Sequence, residues 1–477
     1  MPGVNVTTTT RTGPVGQSVA PSGQVFMAGL AERGITTAPV LIGGMADYEA
    51  AFGSRVSYSH LYDNLATFFE EGGARAYVAR TVGPAATVGT YMMVDRAGAP
   101  LSTIRMDAAG AGAWSSNLSI VVTTVGSNCQ IQVLLSGTVV QTVAAATVDE
   151  LVSGFAGSNY VVATNMGSAT SAPNNLPALG TFAVSAGSDD RASVTATHYE
   201  DSLDLFGIAL GDGAVAIPGI GSTVHAVLLS HASANRRIAL LSMAETTAEA
   251  TLKSTAEALN SQYGGLFAPW VEINTVTGTR FTSPEGFVAA MRNRAHSESG
   301  PWRAPAGQIG VARYVTGLKY DYSRTQGDSL DASKVSAIRL INNTVRLYGW
   351  RSLSDDAANY SLLTGRDVLN RVVTAAEEVL EQFVFQSIDG KGQLLSAVNG
   401  SLVGILEPMR QGGGLYERFD AAGNFVDPGY LVETGSTVNT LTNLANNIVN
   451  ARVSVRVSPS AALISVTIVK VGLLSGL

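Results

Sequence analysis

The sequence predicts a multidomain chain of mixed α/β and α+β class. An α/β sheet domain is interrupted by a β-rich sandwich or barrel insertion and followed by an α+β C-terminal core, with extended arms at both ends. Three observations predict it. Short buried strands alternate with amphipathic helices over residues 25–90 and again over 186–334, the pattern of an open, largely parallel sheet. Between them, residues 91–185 run in short Val- and Thr-rich stretches broken by Gly/Ser turns, the pattern of a sandwich or barrel. Both ends carry strand-like alternation with no neighbouring segment to pair with.

The elements follow in order. Residues 1–24 are rich in Thr, Ser, Gly and Pro, with "VNVTTTT", which holds Val4 and Val6, as the strand-like piece. Such a composition cannot bury a core of its own, so the segment reads as an extended arm or, on composition alone, equally as a frayed terminus. "QVFMAGLA" and "TAPVLIGG" read as short strands, and "YSHLYDNLATFFEEGG" as a helix with Leu61, Leu65, Phe68 and Phe69 on one stripe. "ARAYVAR" resumes as a strand and completes a β-α-β unit. The pair Gly72–Gly73 invites a phosphate-binding reading, but phosphate-binding glycines follow a strand and open a helix. Here they follow a helix, with no Lys-Ser/Thr behind them, so they are expected to cap it with positive φ.

In the insertion, "NLSIVVTTV", "QIQVLLSG" and "TVVQTVAAA" are the clearest strands. Beyond it a helix is expected over Tyr199–Leu210, carrying Leu203, Phe206 and Leu210. The strand "GAVAIPG" follows, then "VHAVLLSHA", read as a strand with His225 and His231 at its two ends. "RRIALLSM", the helix "TTAEATLKSTAEALNSQYGG" and a single strand "LFAPWVEIN" continue the alternation. The region 335–460 reads as the C-terminal core. Its helix "RDVLNRVVTAAEEVLEQFVFQ" aligns Val368, Val372, Ala375, Val379 and Phe383 on one face, and a second helix, "QLLSAVNGSLVGILEPM", is bounded by Pro408. "NARVSVRVSP" reads as a strand. In the last segment, 461–477, Ile464, Val466 and Ile468 alternate with Ser465, Thr467 and Val469, a strand with little chain left to fold over it.

Composition narrows the function. Apolar residues make up 46% of the 477, ample for cores, while charged residues are 14%, against about 25% in an average soluble domain. A surface so poor in charge is suited to lie against other protein. The net charge is −7 and no Lys/Arg run exists to neutralise phosphates, so direct nucleic-acid binding is not expected. The single cysteine, Cys129, excludes an internal disulfide and Cys-rich metal motifs. The start "MPGVNVTTTTRTG" has no basic n-region or apolar core, and no apolar run reaches the eighteen or so residues of a membrane span. Assembly in a cytoplasm, without stable membrane insertion, is the expectation.

Catalytic chemistry is hard to place. The histidines His60, His198, His225, His231 and His296 form no HExxH or metal-spaced pair, and no GxSxG occurs. The acids Asp189, Asp190, Glu200, Asp201 and Asp204 are better read as capping and solvating the following helix than as an acid–base site. "SIDGKGQ" lacks the repeated acidic spacing of a calcium loop. Asp321, Asp328 and Asp331 read as a polar loop ending in a helix cap. Arg366, Arg371 and Arg410, on or beside the C-terminal helices, are candidates to meet an acidic partner surface, and equally ordinary surface arginines. No enzyme, cofactor or metal is expected.

Eight segments, the first three forming one N-terminal group, carry a resemblance as six motifs in order. "PGVNV", "FMAGLAERGITTAPVLIGGMADYEAAFG" and "FFEEGGARAYVARTVG" are followed by "AGAGAWSSNLSIVV", with a Gly-x-Trp-x-x-x-Leu-x-x-x-Val pattern, and by "SAGSDD…YEDSLDLF…VAIPG". "RAPAGQIGVARYVTG", "LYGWRSLSDDAANYSLLTGRDVLNRV" and "NNIVNARVSVRVSPSAALISVTI" complete the series. Together they resemble the contractile phage tail sheath family over nearly the whole chain. Each motif is loose on its own, and their order is what makes the likeness specific. Tyr348 departs from the family's Trp-type position and "PAG" from its "PSG".

The resemblance implies a subtilisin-like sheet domain with no assembled Asp/His/Ser triad, so the fold analogy carries no hydrolase activity. It implies a homo-oligomer of stacked rings, hexameric in the family, around an inner tail tube protein and between baseplate and tail terminator proteins. Each arm, through Val4 and Val6 or Ile464, Val466 and Ile468, would add a strand to a neighbour's sheet. Contraction would rotate subunits as rigid bodies and drive the tube through a host envelope. A bacteriocin or secretion-type injection machine, an α/β enzyme with a β-sandwich appendage, and a binding module built on the insertion remain the alternatives.

Overall fold

The computed structural model describes residues 23–275 and 278–462. The predicted arm strands at Val4, Val6, Ile464, Val466 and Ile468 lie outside the described residues.

The chain opens with β1 (Val25–Gly29), β2 (Val40–Ile42), α1 (Met45–Phe52), α2 (Leu61–Glu70) and β3 (Ala76–Arg80). β1 pairs in parallel with β3, and β2 closes that side antiparallel to β3. Leu61, Leu65 and Phe68 bury the inner face of α2, while Phe69 is half-buried. Its end is a Schellman motif: the Gly72 N–H donates to Phe69 O at 3.0 Å and the Gly73 N–H to Phe68 O at 2.7 Å. Gly72 alone takes positive φ, at 98°.

Residues 90–183 form a separate β unit: β4 (Thr90–Val94), β5 (Ser102–Ala108), β6 (Leu118–Val125), β7 (Asn128–Leu135), β8 (Thr138–Ala145), α3 (Val148–Ser153), β9 (Val161–Asn165) and β10 (Gly180–Ala183). Two antiparallel sheets, β4-β5-β9 and β10-β6-β7-β8, share one buried cluster. Met93, Ile104 and Met106 come from the first, Ile120, Val122, Ile131 and Val133 from the second, and Trp114 and Phe155 join them. Arg33, from the main sheet's side, lays its guanidinium over the Tyr160 and Trp114 rings at 4.6 and 5.8 Å and pins the two units together.

The return to α/β structure comprises α4 (Ala196–Asp204), β11 (Gly213–Ala216), α5 (His225–Ala234), β12 (Arg237–Leu241), α6 (Glu249–Ala258), β13 (Gly264–Ala268), β14 (Val271–Thr275), β15 (Gly278–Thr282), α7 (Glu285–Glu298), β16 (Gly317–Leu318), α8 (Arg324–Ala332), β17 (Val335–Ile341) and β18 (Thr344–Leu347). The large sheet has the order β18-β17-β13-β12-β11-β1-β3-β2, parallel except at its two edges. Alternate residues of each strand face opposite layers. Val25, Met27, Ala214 and Ile238 pack with α1, α2 and α7, whereas Phe26, Val215, Ala239 and Leu266 pack with α4, α5, α6 and α8.

Several expectations are corrected here. "VHAVLLSHA" is helix α5, not a strand: β11 and β12 are parallel neighbours, and a parallel pair needs a crossover between them. The helix expected over Tyr199–Leu210 ends at Asp204; Gly207 is extended and Leu210 sits in a separate 3-10 turn. "LFAPWVEIN" is two strands in two sheets, broken where Pro269 has no N–H to offer. Asp328 and Asp331 lie inside α8, whose cap is Ser323. The α4 cap is Thr195 paired with His198, not the acidic run. The segment after the boundary expected at 334 supplies β17 and β18 to the large sheet.

The remainder holds α9 (Ala357–Tyr360), α10 (Leu363–Leu380), α11 (Gln393–Gln411), β19 (Arg418–Phe419), β20 (Phe425–Asp427), β21 (Tyr430–Glu433), α12 (Leu441–Ala445) and β22 (Arg452–Val455). β21 and β22 pair antiparallel and lie on α10 and α11 through Val368, Val372, Leu402, Leu406, Val432 and Val453. Pro408 does not bound α11 but occupies its last turn. The helix runs on to Gln411 and closes with the Gly413 and Gly414 N–H groups on the Arg410 and Met409 carbonyls.

Candidate assembly surfaces

The C-terminal unit presents a sheet edge and a groove side by side. Just past β22 the Arg456 N–H donates to Gly429 O, on the β21 side, at 2.7 Å. Strand alternation then turns the N–H and C=O of Val453 and Val455 to the other side, where among the described residues no strand meets them; Val457, past the strand, bridges Leu415. The Val453, Val455 and Val457 side chains meanwhile anchor the strand in the apolar cluster below. This is a strand with one edge open.

Beside it lies a groove of about 1190 Å³. Leu380, Phe383 and Ile388 form one wall, Leu394 and Val398 the floor, and Leu441, Val449 and Ala451, leading into β22, the other wall. Among the described residues no charged side chain lines it. Phe385, fully exposed, and Leu441, 87% exposed, stand on its rim. The sequence carried the helix through Phe383 to Gln386, but α10 stops at Leu380 in a 3-10 turn. The side-chain amides of Gln382 and Gln386 donate to the Val379 and Gln382 carbonyls and end it there. Phe385 then takes φ of 63°, a conformation costly for an aromatic residue. Sequence reasoning missed this groove, because its walls come from three separated segments. A second apolar projection is the β19–β20 hairpin, where Phe419 and Phe425 meet edge to face at 5.8 Å, both about half exposed.

The three candidate arginines are engaged within the chain. Arg366 stacks over Tyr263 at 4.8 Å and donates to its hydroxyl at 3.1 Å. Arg371 faces Asp212 at 3.5 Å and Glu378 at 3.9 Å. Arg410 is held between Glu407 and Glu417. Hydrogen bonds from Arg410, Gln411 and Tyr430 bring the Glu407 carboxyl down to about 2. The Arg410 guanidinium is raised in turn, first by its bond to Glu407.

The histidines are dispersed. His225 faces the Ser242 carbonyl at 2.8 Å, and His231 faces the Arg237 guanidinium at 2.8 Å. Among the described residues no cluster of His, Cys, Asp and Glu has metal-binding geometry, and no helix is long and apolar enough to cross a membrane. Glu285 is fully buried against Ser242 at 2.5 Å, and burial raises its carboxyl.

This architecture, a three-layer α/β unit interrupted by a β unit and followed by a helix pair under a small sheet, is the fold of contractile-tail sheath proteins. The chain is similar to the sheath tail protein of Listeria innocua at 13% identity and TM-score 0.60, covering 87% of this chain and 89% of that one. It is similar to the sheath tail protein of Desulfitobacterium hafniense at 14% identity and TM-score 0.57, covering 91% and 93%. It also matches the contracted sheath of an extracellular contractile injection system at 13% identity and TM-score 0.59, covering 98% and 97%. No family model and no curated protein matches the sequence.

Proposed function

We propose that this protein is the structural subunit of a contractile tail sheath, without enzymatic activity. Its copies polymerise as a helical tube of stacked rings, each placing six subunits around an inner tail tube, the symmetry that the family resemblance implies. The tube runs from a baseplate to a tail terminator, and contraction drives the inner tube through a host envelope. The observation that carries this reading is the open β22 edge beside an uncharged groove, on a chain whose fold follows sheath proteins from end to end. A terminal strand of a neighbouring copy, from 1–24 or 461–477, adds to that edge and sets its apolar face, Ile464, Val466 and Ile468 in the second case, into the groove. A contact of this head-to-tail kind does not close on itself and generates a helix.

The same reading divides the chain into arms at 1–24 and 461–477, a subtilisin-like sheet domain, the β insertion at 91–185, and a C-terminal core. The core begins beyond β18 rather than at 335. Arg366, Arg371 and Arg410 act first as struts within the subunit; any contact with the tube uses what their partners leave exposed. The likeness to the contracted injection-system sheath favours one second reading, a sheath of an injection machine rather than of a virion tail.

Electron microscopy of the purified full-length protein beside a 461–477 deletion, each with and without an inner-tube protein, tests the proposal. Striated tubes from the intact chain that vanish on deletion are expected. Monodisperse subunits under every condition would overturn it.

A further inference from the structure

The first described residues are fixed from several directions. The Gly23 carbonyl accepts from Asn293 Nδ2 at 2.7 Å, and a Cβ on Gly23 would stand 2.8 Å from that same nitrogen. Gln24 is buried, and its Nε2 donates to the Leu210 and Asp212 carbonyls at 2.6 and 3.0 Å. Both contacts lead to α10. Asn293 sits on α7 next to Arg292, whose guanidinium reaches Asp367 on α10 at 2.6 Å, with both side chains at most 2% exposed. Asp212 turns its carboxylate to Arg371 on α10 at 3.5 Å.

Buried polar chains of this kind are a poor route to stability, because apolar residues of similar volume pack as well without the desolvation cost. What their directional contacts supply is a single geometry. Here that geometry joins the point where residues 1–22 enter the fold to the helix that carries the C-terminal unit.

We propose that Asn293 is a positioning residue for the N-terminal arm: with Gln24 and Asp212 it ties the root at Gly23 to α10. A pull on residues 1–22 is then passed to the C-terminal unit. The proposal rests on the sheath reading, which supplies the pull.

The experiment compares full-length wild type, Asn293→Ala, Gly23→Ala and the double variant. Wild-type tubes must form first; their absence would count against the sheath reading and not against the anchor. Each single change breaks the same contact from one side, and each is expected to raise the protein concentration needed for tubes about tenfold, or about 1.4 kcal/mol. The double variant is expected to do no worse than the worse single, because the two residues share one interaction. Asn64→Ala, which removes a buried amide bonded to Thr282 and Ser283 away from the root, controls for a merely structural loss. Additive effects of the two changes, wild-type assembly of the variants, or an equal effect of Asn64→Ala would each overturn the anchor.

Discussion

Phe68 and Gly73 close the end of α2 on each other. The Gly73 N–H donates to the Phe68 carbonyl at 2.7 Å, and a Cβ on Gly73 would stand 2.4 Å from the Phe68 ring. The ring is fully buried and cannot swing aside without opening the core. Gly73→Ala is therefore expected to cost about 1–3 kcal/mol through overpacking. Gly72→Ala should cost about 1 kcal/mol through its positive φ alone. Urea denaturation of the unpolymerised subunit checks both, and an unchanged midpoint for Gly73→Ala would show that the ring yields.

Arg292 and Asp367 form a buried ion pair across α7 and α10. Burial alone would raise the Asp367 carboxyl, but the Arg292 charge and the bonds from His296 and Arg292 outweigh it and hold it low. Asp367→Ala takes the carboxylate away from a buried guanidinium and should destabilise the subunit by about 3–5 kcal/mol. Replacing both partners with apolar residues, Arg292→Met with Asp367→Leu, should recover most of that loss. A double replacement as unstable as the single would contradict this account, and denaturant midpoints of the three proteins decide it.

Much of this architecture is legible in the residues themselves. The stripe of α2, its glycine cap and the alternation of β6 and β7 are local patterns, and local patterns survive folding. The readings that failed needed tertiary information. "HAVLLSHASA" puts Val227, Leu228 and Leu229 together, so neither a period of two nor of 3.6 stands out, and only the parallel pairing of β11 with β12 makes it a helix. Residues 335–347 read as a new unit because nothing in their sequence records that β17 pairs with β13. The groove had no signal at all, since Phe383, Val398 and Leu441 come together only in space.

Acid should weaken the fold through His231. Burial, aided by the Arg237 charge, brings its imidazole down to about 4. Between that value and the usual 6.5 or so, the unfolded chain binds a proton that the folded one refuses, so stability is complete above about pH 6.5 and falls as the pH drops toward 4. The loss is at most about 3 kcal/mol from this residue. His60, His225 and His296 are lowered by burial too and act in the same direction. Thermal midpoints from pH 7.5 to 4.5 should fall, and less steeply in His231→Gln. Parallel profiles for the two proteins would remove His231 from the explanation.

The open edge of β22 separates folding from assembly. Val455 pairs with Tyr430 without exchanging backbone bonds, so its N–H points away from β21. Val455→Pro removes that outward donor and leaves the β21 pairing intact; edge positions are where strands accept proline. Ser454, opposite Leu431, bonds toward β21, and Ser454→Pro should instead unseat the small sheet and lower the thermal midpoint. On the groove rim, Leu441→Glu adds a charge to a side chain already 87% exposed, at little cost to the monomer. Val455→Pro and Leu441→Glu are thus expected to melt within a few degrees of wild type yet fail to form tubes, as read by calorimetry beside negative-stain microscopy. Normal tubes from both variants would mean that neighbouring subunits grip elsewhere.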